Sequence, residues 1–173
     1  MKTEPNATVR LAVPADAPLL PGIERSAGEA FRALPDVAWI ADNAAEPADT
    51  YLQLIAEGTV WVCEAPKPGV VGLLLAERFD DELHIRELSV SLRFQQRGFG
   101  RRLLDAARDH ARTAGLVALT LTTFRHVVWN APFYARYGFS ELTFPNLGAR
   151  LEEVLRLEAE RGLTQRCAMR LRV

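Results

Sequence analysis

The sequence predicts an α+β fold: a mixed, mostly antiparallel sheet of about seven strands, flanked by helices. Three observations carry this reading. The elements follow the order β-α-α-β-β-β-α-β-α-β-α-β. Three middle strands are joined by short turns, Pro66-Lys67-Pro68-Gly69 and Phe79-Asp80-Asp81, as in an antiparallel meander. A full helix then separates the strand at 83–90 from the strand at 116–122, so those two run parallel. With 173 residues, the chain is read as a single domain over 1–173.

Each element has a local signal. Residues 8–12, Thr8-Val9-Arg10-Leu11-Ala12, alternate as a first strand. Pro14 and Asp16 are start signals for a helix through about Arg32. Pro35 and the stretch 42–47 bracket a loop or short helix, and 50–57 is a second helix ended by Gly58. Residues 59–64 form a strand, and 70–77 a near-continuous apolar strand buried on both faces. Residues 83–90 complete the meander. The helix beginning near Gly98 turns Leu103, Leu104, Ala107, Ala111 and Ala114 to the core and ends at Gly115. A strand at 116–122, a short helix at 132–137 stopped by Gly138 and a strand at 139–144 come next. A helix at 150–161, stopped by Gly162, and a strand at 166–173 close the chain.

Composition narrows the function. Apolar residues make up 49% and charged residues 25%, ordinary globular values that exclude disordered, collagen and coiled-coil classes. Lys and Arg (21) nearly cancel Asp and Glu (22), which argues against a nucleic-acid partner or a polybasic membrane surface. Cys63 and Cys167 each sit in an apolar stretch and read as buried free thiols. The start, Met1 to Asn6, lacks the apolar region of a secretory signal, and no apolar run approaches the roughly 20 residues of a membrane span. The expectation is a cytoplasmic protein with no membrane partner and no metal.

One stretch carries chemistry: Gln95-Gln96-Arg97-Gly98-Phe99-Gly100-Arg101-Arg102, between a strand and a helix. The glycines let backbone approach a ligand, and the helix start offers unpaired N–H groups with a positive dipole end. Together these make a pyrophosphate cradle, with Arg97, Arg101 and Arg102 adding charge. A P-loop is excluded because Gly100-Arg101-Arg102 replaces Gly-Lys-Ser/Thr, and the dinucleotide fingerprint fails because Leu103 stands where its third glycine belongs.

About thirty residues on comes Trp129-Asn130-Ala131-Pro132-Phe133-Tyr134-Ala135-Arg136-Tyr137-Gly138-Phe139. With Gln95-x-x-Gly98-x-Gly100, this resembles the GCN5-related N-acetyltransferase (GNAT) superfamily. That family's loop reads Gln/Arg-x-x-Gly-x-Gly/Ala, and its later signature is Asn, then Phe-Tyr, then Gly-Phe. Leu88-Ser89-Val90 matches the strand before the loop. The likeness is strongest over 82–140.

The resemblance implies transfer of an acetyl group from acetyl-CoA to an amine. Central strands 83–90 and 116–122 would splay to hold the CoA, with backbone of Leu88 and Val90 pairing to the pantetheine arm and Ser89 between them. Amides from Gln95 through Gln96, Arg97, Gly98, Phe99 and Gly100 to Arg101 would hold the pyrophosphate. Asn130 resembles the pantetheine-contacting Asn, with Phe133 beside it, and Tyr134 the general acid that protonates the departing thiolate.

The sequence leaves the base open. His84, eleven residues before Gln95, occupies a strand position where the family often places Tyr, His or Glu. Glu87 is the rival, on the opposite face by alternation, and a water chain serves in many members. Alternation sets His84, Arg86 and Leu88 on one face. Glu24, Glu29 and Trp39 fall where the family builds its acceptor site, and acidic groups there would hold a cationic amine. His126 and His110 read as solvated residues, and the helix at 150–161 as a possible lid. The expected acceptor is a small-molecule amine; a protein acceptor and a non-catalytic acyl-CoA-binding module are the alternatives, and a homodimer fits the family.

Overall fold

The computed structural model describes residues 7–173. The amino-terminal stretch Met1 to Asn6, read as lacking a signal, lies outside the described residues. Seven strands are ordered β1-β2-β3-β4-β5-β7-β6. They are β1 (Thr8–Leu11), β2 (Val60–Ala65), β3 (Gly69–Phe79), β4 (Glu82–Val90), β5 (Ala118–Phe124), β6 (Ser140–Leu142) and β7 (Arg166–Arg172). The helices are α1 (Leu20–Gly28), α2 (Ala48–Ala56), α3 (Phe99–Thr113), α4 (Ala131–Tyr137) and α5 (Ala149–Glu160). No helix among the described residues is long and apolar enough to cross a membrane.

The chain divides into two compact units. One runs to Glu77 and takes in Glu87–His110; the other is Arg78–Arg86 with Ala111–Val173. In the first, β2 pairs antiparallel with both β1 and β3. Leu20 and Ile23 of α1 and Tyr51, Leu54 and Ile55 of α2 pack with Val60, Val62, Leu73 and Leu75 from the strands. Residues Val71 through Ala76 are all buried, as their apolar run predicts. Gly72 is a tight point. A Cβ there would come within 3.2 Å of Ser89 O, 3.3 Å of Val90 Cγ2 and 3.4 Å of Leu103 Cδ1.

In the second unit, β4 pairs in parallel with β5 over Glu82–Ile85 and Ala118–Leu121, the parallel pair that the intervening helix demands. β7 pairs antiparallel with β5 and with β6. Leu83, Leu119, Leu121 and Ala168 lie at the centre, and Leu151 of α5 is 2% exposed.

Three expectations are corrected. The helix expected from Pro14 to Arg32 breaks into a 3₁₀ turn (Pro14–Leu19), α1, and a second 3₁₀ turn (Glu29–Ala33). Pro18 and Pro21 lack the N–H that a continuous helix needs. Ala114 is exposed, because Gly115 turns left-handed (φ 69°) and Leu116 N–H closes on Ala111 O at 2.9 Å, ending α3 one residue earlier. The strand expected at 139–144 shrinks to Ser140–Leu142; Pro145 comes next, in a turn closed by Asn146 N–H on Thr143 O, 2.8 Å.

Candidate active site

The loop that carries the glycines belongs to the first unit, at the end of β4. Ser91 N–H donates to Val71 O at 2.9 Å, holding the strand end to β3. A 3₁₀ turn at Leu92–Phe94 comes next. Its first N–H donates to Ser26 Oγ of α1 at 3.1 Å. The Gln95 side chain turns back, and Nε2 donates to Val90 O at 3.0 Å. Gln96 then adopts φ 61° and Gly98 φ 86°, so the chain reverses twice within three residues before α3 begins. Arg97 lies with its guanidinium carbon 5.1 Å from the Phe94 ring centre, and Nη2 donates to Arg93 O at 2.9 Å.

The first closed turn of α3 is Arg102 N–H on Gly98 O, 3.2 Å. The amides of Phe99, Gly100 and Arg101 therefore have no acceptor inside the helix, the anion-binding property expected of a helix start. Phe99 is buried, which anchors that start. Arg102, expected to charge the cradle, instead donates through Nη1 to Ala7 O at 2.6 Å.

Upstream on β4, Glu87 is half-buried and Ser89 is buried. Ser89 Oγ donates to Glu87 Oε1 at 2.5 Å. In the same unit Tyr51 is fully buried and donates to Glu24 Oε2, which also accepts Glu46 N–H at 3.3 Å. Burial pushes the Glu24 carboxyl up. The Tyr51 phenol is pushed up by burial and then by Glu24, with Glu87 and Glu46 adding to it, so it stays a donor. The sequence pointed to Glu24 but not to Tyr51, whose spacing with Leu54 and Ile55 marks only an apolar helix face. Glu29 pairs with Arg32 at 2.8 Å on the surface, and Trp39 is 40% exposed.

The second unit holds His84, Asn130, Phe133 and Tyr134. Asn130 is the residue before α4, yet its side chain makes no cap bond, and its Oδ1 is buried with no hydrogen-bond partner. Its carbonyl accepts Phe133 N–H at 2.8 Å and Tyr134 N–H at 3.1 Å. The four-residue spacing stacks Asn130 and Tyr134 on one side of the turn. Tyr134 is 9% exposed, its ring edge-on to Phe133 (5.2 Å) and Phe139 (5.6 Å).

His84 is 7% exposed, so alternation misplaced it: Leu83, His84 and Ile85 are all buried. The cause is α5. Its Arg150 lies 4.6 Å from the Phe79 ring centre and donates to Glu82 at 2.8 Å and to Thr120 Oγ1 at 3.2 Å. His84 Nδ1 lies 3.1 Å from the same Thr120 hydroxyl, and its ring is edge-on to Phe79. Burial, and then the nearby Arg150, Arg86 and Arg166, lower the His84 pKa to about 4. At its far end, α5 is tied by Glu158, which accepts from Thr122 Oγ1 (2.6 Å) and Arg166 Nε (2.7 Å). His126 is exposed as expected, but His110 packs edge-on against Trp61 at 5.2 Å.

Residues 56–141 match the family model described as "Acetyltransferase (GNAT) domain". Many solved structures share the fold, three of them as follows. Rv2747 from Mycobacterium tuberculosis, in complex with CoA, is 20% identical (TM-score 0.70), with 96% of this chain and 99% of that one covered. The PaiA N-acetyltransferase from Thermoplasma acidophilum, in complex with coenzyme A, is 14% identical (TM-score 0.71; 97% and 99% covered). The ribosomal-protein-S18-alanine N-acetyltransferase from Escherichia coli is 16% identical (TM-score 0.68; 96% and 94% covered). With the family match, the seven-stranded mixed sheet and the loop and Asn-Tyr motifs in hand, the chain belongs to the GNAT superfamily of acetyltransferases.

Proposed function

We propose that the chain is a cytoplasmic N-acetyltransferase that moves the acetyl group of acetyl-CoA onto a primary amine of a small cationic molecule, by direct attack in a ternary complex. The observation that carries the acceptor class is a set of carboxylates in the first unit: Glu24 accepts from the Tyr51 hydroxyl and from Glu46 N–H, and Glu87 accepts from Ser89. Such a neighbourhood favours a cation over an anion.

The residues present fit CoA. The buried, unpartnered Asn130 Oδ1 is an acceptor that the amide N–H of a pantetheine arm would satisfy. The start of α3 suits a pyrophosphate, and the backbone of Leu88 and Val90 would pair with the arm as an added strand. On this assignment Gln95 to Arg101 hold the phosphates, and Phe133 joins Asn130 on the arm.

Bound acetyl-CoA supplies a thioester, an acyl group activated toward amines. Before attacking, the acceptor must lose a proton, and Glu87 takes it, directly or through water. Its carboxylate is oriented by Ser89 and lies among groups that attract an ammonium. His84 is the weaker candidate, being closed off by α5 and set among Arg150, Arg86 and Arg166, which repel a cation. Tyr134 holds the proton that the departing thiolate needs.

The first test is thermal unfolding with acetyl-CoA, with ATP and NAD as controls. A ligand at 100 times its Kd stabilises by about 2.7 kcal/mol. A shift with acetyl-CoA alone is expected; an equal shift with all three overturns the cofactor assignment. Release of free thiol is then measured with amino acids, polyamines and amino sugars, and with peptides bearing a free amino terminus. Turnover with peptides alone overturns the small-molecule acceptor in favour of the protein acceptor that the likeness to the S18-alanine enzyme supports.

A further inference from the structure

We propose that the second unit carries a binding site for a small dianion, a dicarboxylate or a phosphate, on the sheet face beside the first turn of α5. The ladder register builds it. Glu82 of β4, Ala118 of β5 and Arg172 of β7 stand opposite one another in one row, and His84, Thr120, Arg170 and Ser140 of β6 in the next. Residues directly opposite share a face, as do residues two apart on one strand. The helix α5 lies across this face. Arg150 of its first turn donates to Glu82 and Thr120, and Glu158 near its far end accepts from Thr122 Oγ1. It thus runs from the Thr120 row toward Thr122, and the Ala118 row lies beyond its first turn. A cavity of about 300 Å³ opens there, lined by Val117, Ala118, Arg170 and Arg172. Val117 N–H on Asp81 O (2.8 Å) and Val173 N–H on Val117 O (3.1 Å) hold its rim.

Hydrogen bonding and charge both call for an anion. Glu82 Oε1 accepts from Arg170 Nη2, and Oε2 accepts from Arg150 Nη2 at 2.8 Å, so both oxygens are taken. Donors still remain: Arg170 Nε and Arg150 Nη1 are buried with no hydrogen-bond partner. Buried polar groups are normally paired, so this cluster is short of acceptor oxygens. Arg172 adds a third guanidinium at the exposed edge of the cavity. Against the three arginines stand Glu82 and the exposed Asp81 of the adjoining turn, which leaves positive charge in excess. Arg170 and Arg172 are two residues apart on β7, roughly 7 Å, so each charge of a dianion can meet its own guanidinium. Ala118 offers only a methyl as the floor, and Val117 an apolar wall for the carbon atoms of the ligand. A cavity of this size suits a metabolite rather than a polymer. Glu82, Arg150, Arg170 and Arg172 take no part in the proposed acetyl transfer.

Succinate and inorganic phosphate, titrated separately by calorimetry, test this. Ionic strength is held constant with sodium chloride, and the proteins are wild type, Arg172→Gln and Arg170→Gln. Arg172 is exposed, so its variant keeps the fold and decides alone if Arg170→Gln does not fold. One bound anion per chain is expected. Loss of a charge-assisted hydrogen bond predicts binding about tenfold weaker, or more, in each variant. Binding of succinate alone identifies the ligand as a carboxylate, and binding of phosphate alone identifies it as a phosphate; either supports the site. Failure of both probes to bind wild type overturns it, as does wild-type affinity in either folded variant. Repeating the titrations with saturating acetyl-CoA separates this site from the glycine loop. Undiminished binding is expected; an anion that acetyl-CoA displaces was held at the loop, which also overturns the site.

Discussion

Ser89 Oγ donates to Glu87 Oε1 across two residues of β4, so both side chains leave the strand on the same face. The carboxylate is thereby oriented by a buried hydroxyl, in the unit that also carries the glycine loop. If Glu87 takes the acceptor's proton, Glu87→Gln lowers kcat by about 10²- to 10³-fold. The KM for acetyl-CoA should barely change. Steady-state kinetics at saturating amine decides this; retention of more than half the wild-type kcat removes Glu87 from the mechanism.

The acid is tested separately. Tyr134→Phe deletes one hydroxyl and keeps the ring between Phe133 and Phe139. Turnover should fall by about 10²- to 10³-fold, with the acetyl-CoA-induced unfolding shift retained. Undiminished turnover would show that the thiolate takes its proton elsewhere.

His84 gives a pH signature in stability. In the unfolded chain it binds a proton near its ordinary pKa of 6.5, and in the folded protein only near 4. Between those values the unfolded state carries the extra proton, so stability falls as pH drops from about 6.5 to about 4. Moving from pH 7.5 to pH 5 should cost about 2 kcal/mol through this residue. Urea unfolding of wild type and His84→Gln at both pH values isolates the effect, because the variant lacks this part of the pH dependence. Equal pH dependence in the two proteins would contradict it.

Gly72 predicts a steric effect. In Gly72→Ala the new methyl meets Ser89 O at 3.2 Å and Val90 Cγ2 at 3.3 Å. Both contacts lie on β4, just before the glycine loop. A loss of about 1–3 kcal/mol in unfolding free energy is expected, as for other overpacked sites. Weaker acetyl-CoA binding should accompany it, and chemical denaturation with a ligand titration measures both.

Local chemistry made most of the fold legible. Gly58, Gly138 and Gly162 each end a helix where expected, and the pairing of β4 with β5 is parallel as the helix between them requires. The loop and the Asn130–Tyr134 turn were legible for the same reason: each is one contiguous stretch. Contacts between distant residues were not. Tyr51 meets Glu24 across 27 positions, and nothing in either neighbourhood announces the other. His84 looked like a strand residue facing a cleft, because its burial is imposed by Arg150, far along the chain.

The two ties of α5 have a dynamic consequence. Arg150 grips Glu82 and Thr120 at one end, and Glu158 grips Thr122 and Arg166 at the other, with Leu151 buried beneath. Lifting either end alone leaves the other fastened, so local opening of this helix is cooperative with the strands that it crosses. Amide hydrogens in α5 should exchange with solvent together with those of β5 and β7, and the segment should resist nicking by protease. It is a fixed wall of its unit rather than a flap that swings on one hinge.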